Sequence, residues 1–295
     1  MSYRKLSLVL LICLLSLMFL VSPVLAKKKP SLDAWKPKFD PSGAKYTCIV
    51  SNVSHPAIKG VYTGFAIRDE LWKRSKGQIY IDYKPFSMLG GEVEVLNILQ
   101  MGAIQGMAVS SVASTNLGPR FGVVNLPFLI DSDAKLEKFI SNKKLFNHFL
   151  NAMDHQGISA LDVSTYGSYG WATTEPIRTY KDINKNKFRI AEAAVNQLTY
   201  KQWGVNPVSM PWPDVPVALK QGVITALDHT DIVCDLTKKF EVAKYFTEVN
   251  YAKGLFIWLF NKAWLNSLPA DLQKTFKEVV SDVCADYRQK GVAQE

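Results

Sequence analysis

Apolar positions switch repeatedly between a two-residue and a helical period along this chain, and that switching predicts alternating strands and helices. Tyr46 to Val53 reads as a strand. From Pro56 to Arg74 the apolar residues Val61, Tyr62, Phe65, Ala66 and Trp72 fall at helical spacing. Gln78 to Tyr83, rich in β-branched and aromatic residues, predicts a second strand. Glu92 to Met101, after Gly90-Gly91, predicts a helix, and Met107 to Val109 a third strand. The pattern recurs with strands at Ile158–Asp162, Lys187–Ala191, Pro207–Met210 and Thr225–His229. Helices are predicted at Ala194–Trp203 and Asp214–Gln221, the second closed by Gly222 where a left-handed residue is favoured. Pro269 to Lys290 shows one apolar face of a long amphipathic helix, built on Leu272, Phe276, Val279, Val280, Val283 and Tyr287. Such β-α-β order implies parallel strands with right-handed crossovers and an α/β fold in two halves. The chain is expected to cross between the halves near 165–170 and 250–256, leaving a ligand cleft between them.

Residues 1–26 read as a secretory signal peptide: Arg4 and Lys5, an apolar run from Leu6 to Val21, and a small residue at Ala26. The alternative, an uncleaved anchor, needs a longer run. Lys27 to Ala44 reads as a flexible lead-in. The division that follows is 45–168 with 255–295 as one domain and 169–254 as the other. The chain has 35 basic and 26 acidic residues, a formal charge of +9. That basicity is scattered rather than set beside aromatics, which argues against a nucleic-acid surface. Cys48, Cys234 and Cys284 follow the signal segment without a CxxC spacing. They leave open either one disulfide or three buried thiols, and indicate neither a metal knuckle nor a redox pair.

The candidate chemistry centres on Arg189, between Phe188 and Ile190 in a short apolar strand. A buried guanidinium is costly unless an anion pairs with it. No acidic residue is its immediate neighbour, so its partner is either a distant carboxylate of the protein or a ligand.

Several ordered motifs surround it. Leu89-Gly90-Gly91 is followed by Glu94, then by Gln100-Met-Gly-Ala-Ile104 and Leu126-Pro-Phe-Leu129. Further on come Lys187-Phe-Arg189, Ala218-Leu-Lys-Gln-Gly-Val-Ile224 and Trp264-Leu-Asn-Ser-Leu-Pro269. Together these resemble the extracytoplasmic solute receptors of tripartite ATP-independent periplasmic (TRAP) transporters, over roughly Tyr46 to Arg288. The resemblance implies a two-lobed periplasmic binding-protein fold with hinge segments, and a periplasmic, monomeric protein that hands a small organic acid to TRAP permease subunits. It implies that Arg189 pairs with the solute carboxylate, without a metal or other cofactor.

Departures from the family pattern define the remaining candidates. Thr225 and Ala226 replace a usual Asp-Gly, with Asp228 and His229 following where the strand meets the cleft. Adjacent strand residues point to opposite faces, so only one of these two is expected to face the ligand fully. Asp228 is a candidate to help hold a cation or to pair with Arg189 in the empty state. Trp171 stands where some members carry a second arginine, which counts against dicarboxylates and implies an apolar wall. Trp212 at a strand end, Ser110 and Ser111 after the third strand, and Tyr169 complete the expected lining. No HExxH, GxSxG, P-loop or GxGxxG signature is present. A solute receptor is therefore the favoured reading, ahead of a ligand-sensing subunit for a membrane kinase or a secreted enzyme.

Overall fold

The computed structural model describes residues 31–295. The signal segment and the first residues of the lead-in lie outside the described residues. The rest of the lead-in carries two single 3₁₀ turns, Asp33–Trp35 and Pro41–Gly43. Phe39 stacks on Trp72 at a centroid distance of 4.5 Å.

The first half follows the predicted alternation: β1 (Tyr46–Ser51), α1 (Lys59–Arg74), β2 (Ile79–Lys84), α2 (Glu92–Gln100) and β3 (Gly106–Ser110). β1 pairs in parallel with both β2 and β3. Then come α3 (Asp133–Ser141) and α4 (Lys143–Leu150). Side-chain oxygens of Ser132 and Asn142 cap these two helices by accepting from Lys135 N–H and Leu145 N–H, satisfying donors a helix start otherwise leaves open. The second half contains β4 (Ile158–Thr173), β5 (Phe188–Ile190), α5 (Ala194–Gln202), β6 (Val208–Ser209), α6 (Val215–Lys220), β7 (Ala226–Thr230), α7 (Asp231–Leu236) and β8 (Tyr245–Thr247). The chain returns through β9 (Lys253–Asn261), α8 (Lys262–Ser267) and α9 (Ala270–Val292).

Two elements depart from the sequence expectation. β4 runs on to Thr173 instead of ending near Asp162, and β9 is a full strand where only a crossing was expected. The β9 run Gly-Leu-Phe-Ile-Trp-Leu-Phe is buried on both faces, so it shows no polar alternation to announce a strand. β9 is antiparallel to β3 and to β4, which makes the sheet mixed rather than parallel. Strand order is β2-β1-β3-β9-β4-β7-β5-β6, with β8 also on β4. β4 pairs with β9 from Ile158 to Ser168 and with β7 from Tyr169 to Thr173, so one strand serves both lobes. Its register slips between Thr165 and Ser168. Gly167 sits in that slip with φ +110°, a conformation open to glycine and strained for other residues.

In the first lobe a core gathers around Leu96, Leu99, Met107, Phe121, Val163 and Ile257, and Phe65, Leu71, Trp258, Phe276 and Val280 are buried as well. Burying each such side chain contributes about 1.5–3 kcal/mol. The second lobe has a core on each side of its sheet: Trp171, Phe188, Ile190 and Tyr200 on one, Val215, Leu219, Leu227 and Cys234 on the other. The Arg288 guanidinium reaches Asp162 at 2.6 Å, both buried, and ties α9 to β4. Cys48, Cys234 and Cys284 are free and buried, and burial pushes the Cys234 thiol up to about 12. No helix among the described residues is long and apolar enough to cross a membrane.

Candidate ligand-binding site

The carboxyl ends of four parallel-type strands meet between the lobes, where an open α/β sheet places its crevice. Val53 and Ser54 follow β1, Ser110 ends β3, Arg189 and Ala191 come from β5 and its end, and Asp228 and His229 from β7; all border one cavity. Tyr166 and Tyr169 of β4 share a 2.6 Å hydroxyl–hydroxyl hydrogen bond on its wall. The cavity measures about 30 Å³, room for a water or two and far less than an organic acid needs.

Sheet register explains which side chains meet. Trp171 lies opposite Asp228, and Phe188 beside Ala226, so these four share one face. Arg189 pairs with Leu227 and occupies the other face with His229. The cavity wraps the strand ends and takes residues from both faces. Asp228 and His229 accordingly both border it, where strand alternation alone predicts only one.

Arg189 is 5% exposed. Its Nε and Nη2 both donate to Met210 O, at 3.1 and 2.8 Å, which fixes the plane of the fork. Its guanidinium lies 5.5 Å from the Trp212 ring centroid, and Lys239 Nζ lies 4.9 Å from the same ring. Among the described residues the arginine ion pairs belong to Arg68, Arg74 and Arg288. Among the described residues no carboxylate forms an ion pair with Arg189 within 4 Å. Burial lowers its pKa, while the charges of Glu92, Tyr169 and Asp228 oppose that shift.

Asp228 does not pair with Arg189. Its carboxylate accepts from Tyr251 OH at 2.7 and 2.9 Å and from Asn196 Nδ2 at 2.9 Å. Burial pushes it up to about 6, against hydrogen bonds from Tyr251 and Tyr200 and the Arg189 charge. His229 Nδ1 accepts from Thr230 N–H at 2.9 Å, which leaves the ring proton on Nε2. Burial, then Arg189 and Lys239, hold this imidazole well below its ordinary pKa and hence neutral.

The other expected residues divide. Trp212 and Tyr169 border the cavity; Trp171 and Ser111 do not. Trp171 packs behind Asp228, its Nε1 donating to Tyr200 OH at 2.8 Å and its ring meeting Phe188 and Trp203 edge-on. Ser111 turns to the opposite side of the chain from Ser110 and donates to Asn125 Oδ1 at 2.6 Å. Ser110 borders the cavity, but its hydroxyl already donates to Glu92 Oε2 at 2.7 Å while its N–H donates to Oε1 at 2.6 Å. Glu92, Tyr166, Asn196 and Tyr251 escape the sequence reading. Glu92 carried the clearest signal, an acid directly after a glycine pair at a helix start. Among the described residues no group of three or more His, Cys, Asp or Glu is arranged to hold a metal.

Comparison with known proteins identifies the family. Residues 51–295 match the profile of bacterial extracellular solute-binding protein, family 7 (DctP). The chain is 23% identical over 209 residues to YiiZ of Salmonella typhimurium, covering 70% of this chain and 64% of that one. It is 25% identical over 231 residues to the 2,3-diketo-L-gulonate-binding periplasmic protein YiaO of Escherichia coli, covering 77% and 69%. The matches thus span about two thirds of these relatives' length. A TRAP periplasmic solute-binding protein of Shewanella oneidensis, solved with bound succinate, superposes with a TM-score of 0.80 at 23% identity, covering 85% and 82%. With its profile matched from residue 51 to residue 295, the chain belongs to the DctP family of TRAP-type extracellular solute-binding proteins.

Proposed function

We propose that the protein is a periplasmic receptor that captures a small organic acid at Arg189 and delivers it to TRAP membrane permease subunits, with no catalytic step. The observation that carries this is a buried guanidinium, oriented by Met210 O and bordering an interlobe cavity, with no carboxylate among the described residues within ion-pairing distance. A ligand carboxylate supplies the missing anion, and a planar fork receives it through two parallel hydrogen bonds. The succinate held by the similar Shewanella structure supports a carboxylate as the ligand class. Residues 1–26 would act as the export signal. Capture proceeds by closure: the lobes part, the acid pairs with Arg189, and the closed form is the one the permease recognises.

The test is a thermal-shift and calorimetric screen of the ligand-stripped protein with small organic acids and their neutral amides. An acid at 100 times its Kd stabilises by about 2.7 kcal/mol; its amide does not. Arg189→Ala is expected to cost about 2–5 kcal/mol of acid affinity while the circular dichroism spectrum stays folded. Arg189→Lys is expected to restore only part of it, because an ammonium lacks the fork. Full affinity in Arg189→Ala overturns the reading.

A further inference from the structure

Arg189 faces, across the cavity, an acid that the first lobe holds in a fixed pose. Glu92 is the first residue of α2, where the positive end of the helix dipole favours an anion. Ser110 grips both its oxygens, one through the backbone N–H and one through the hydroxyl. A carboxylate oxygen has room for about two hydrogen bonds, so each Glu92 oxygen keeps one acceptor position. Among the described residues no lysine or arginine forms an ion pair with Glu92, and Glu92 borders the same cavity as Arg189. The neighbouring acid, Asp228, is differently placed: Tyr251, Tyr200 and Asn196 already donate to it. The cleft therefore has a cationic wall on one lobe and an anionic wall with open acceptors on the other, while the nearby imidazole of His229 is neutral.

We propose that Glu92 is a specificity-determining residue and that the ligand is a carboxylate bearing a hydrogen-bond donor, an α-ammonium or α-hydroxyl, which bridges Arg189 to Glu92. This rests on the receptor reading above and narrows its substrate class. A second carboxylate in the donor's place meets the Glu92 charge in a site with little water to screen it, so dicarboxylates are disfavoured. A plain acid leaves the Glu92 acceptors without a partner once the cleft shuts, and an unmet polar group in a closed site costs binding. Ser110 acts through Glu92 as a positioning residue rather than by touching ligand.

Matched acids that differ only in an α-amino, α-hydroxy or α-hydrogen substituent, across several tail sizes and with succinate alongside, test this by calorimetry. The wild type is expected to bind the donor-bearing acids at least about tenfold more tightly than the plain ones. Glu92→Gln removes that preference, chiefly by weakening the donor-bearing acids; Ser110→Ala erodes the preference in the same direction. If plain acids or succinate bind as tightly as donor-bearing acids, or if Glu92→Gln retains the preference, the inference falls while the receptor reading stands. If no acid binds the wild type at all, both fall together.

Discussion

Arg189 and Asp228 sit on opposite faces of one sheet and meet the same cavity, yet their charges are handled differently. Arg189 has no carboxylate partner among the described residues, whereas Asp228 has hydrogen-bond donors on both oxygens and is still pushed up to about 6 by burial. That shift makes stability depend on pH. Between about pH 4 and 6 the folded protein retains a proton that the unfolded chain has released, so the stabilisation is complete below pH 4 and is lost as pH rises through 6. Two pKa units correspond to about 3 kcal/mol. Unfolding of the ligand-free wild type by urea should therefore lose up to about that much between pH 4.5 and 7 relative to Asp228→Asn; parallel pH profiles would contradict it. Arg189 was legible in the sequence because a lone arginine in an apolar strand has no local explanation. Glu92 showed only as an acid after a glycine pair at a helix start, a place where acids are common; the folded lobe is what brings Ser110 and the cleft to it.

At the level of elements, the amphipathic helices and half-exposed strands announced themselves through their periods. The short Phe188–Ile190 strand was legible through its β-branched and aromatic neighbours. β9 was silent because a strand buried on both faces resembles any other apolar run, and the length of β4 was hidden by Gly167 and Gly170, which interrupt its pattern. The approach of the α2 start to the other lobe was equally hidden. A Cβ added at Gly91 would stand 3.2 Å from Pro211 Cβ, and Asn116 Nδ2 donates to Glu192 O at 2.7 Å across the same gap. Both contacts belong to the closed cleft. Gly91→Val is expected to hold the lobes ajar and weaken binding of every acid about five- to tenfold, with the ligand-free melting temperature unchanged. Since a ligand shifts a closure equilibrium only by its differential affinity for the closed form, small-angle scattering should show a larger ligand-bound radius for the variant.

Across the whole molecule, the two-lobed plan was legible from the repeated strand–helix order, whereas the way the lobes are joined was not. The sequence suggested chain crossings near 165–170 and 250–256 but not their form: β4 pairs with strands of both lobes, and α9 packs back along it through Arg288 and Asp162. Lys253, which is 1% exposed beside the crossing, reaches Asp133 at 2.9 Å and Glu295 at 2.6 Å. A shared strand means that neither half has a complete sheet without the other. In calorimetric terms the lobes form one melting unit: a single endotherm is expected, with van't Hoff and calorimetric enthalpies equal, and breaking the Arg288–Asp162 pair by Arg288→Met should lower that one peak rather than split it. Two resolved peaks would mean that the lobes melt separately despite the strand they share. A chain built this way has only one way to come apart, whatever movement its cleft allows.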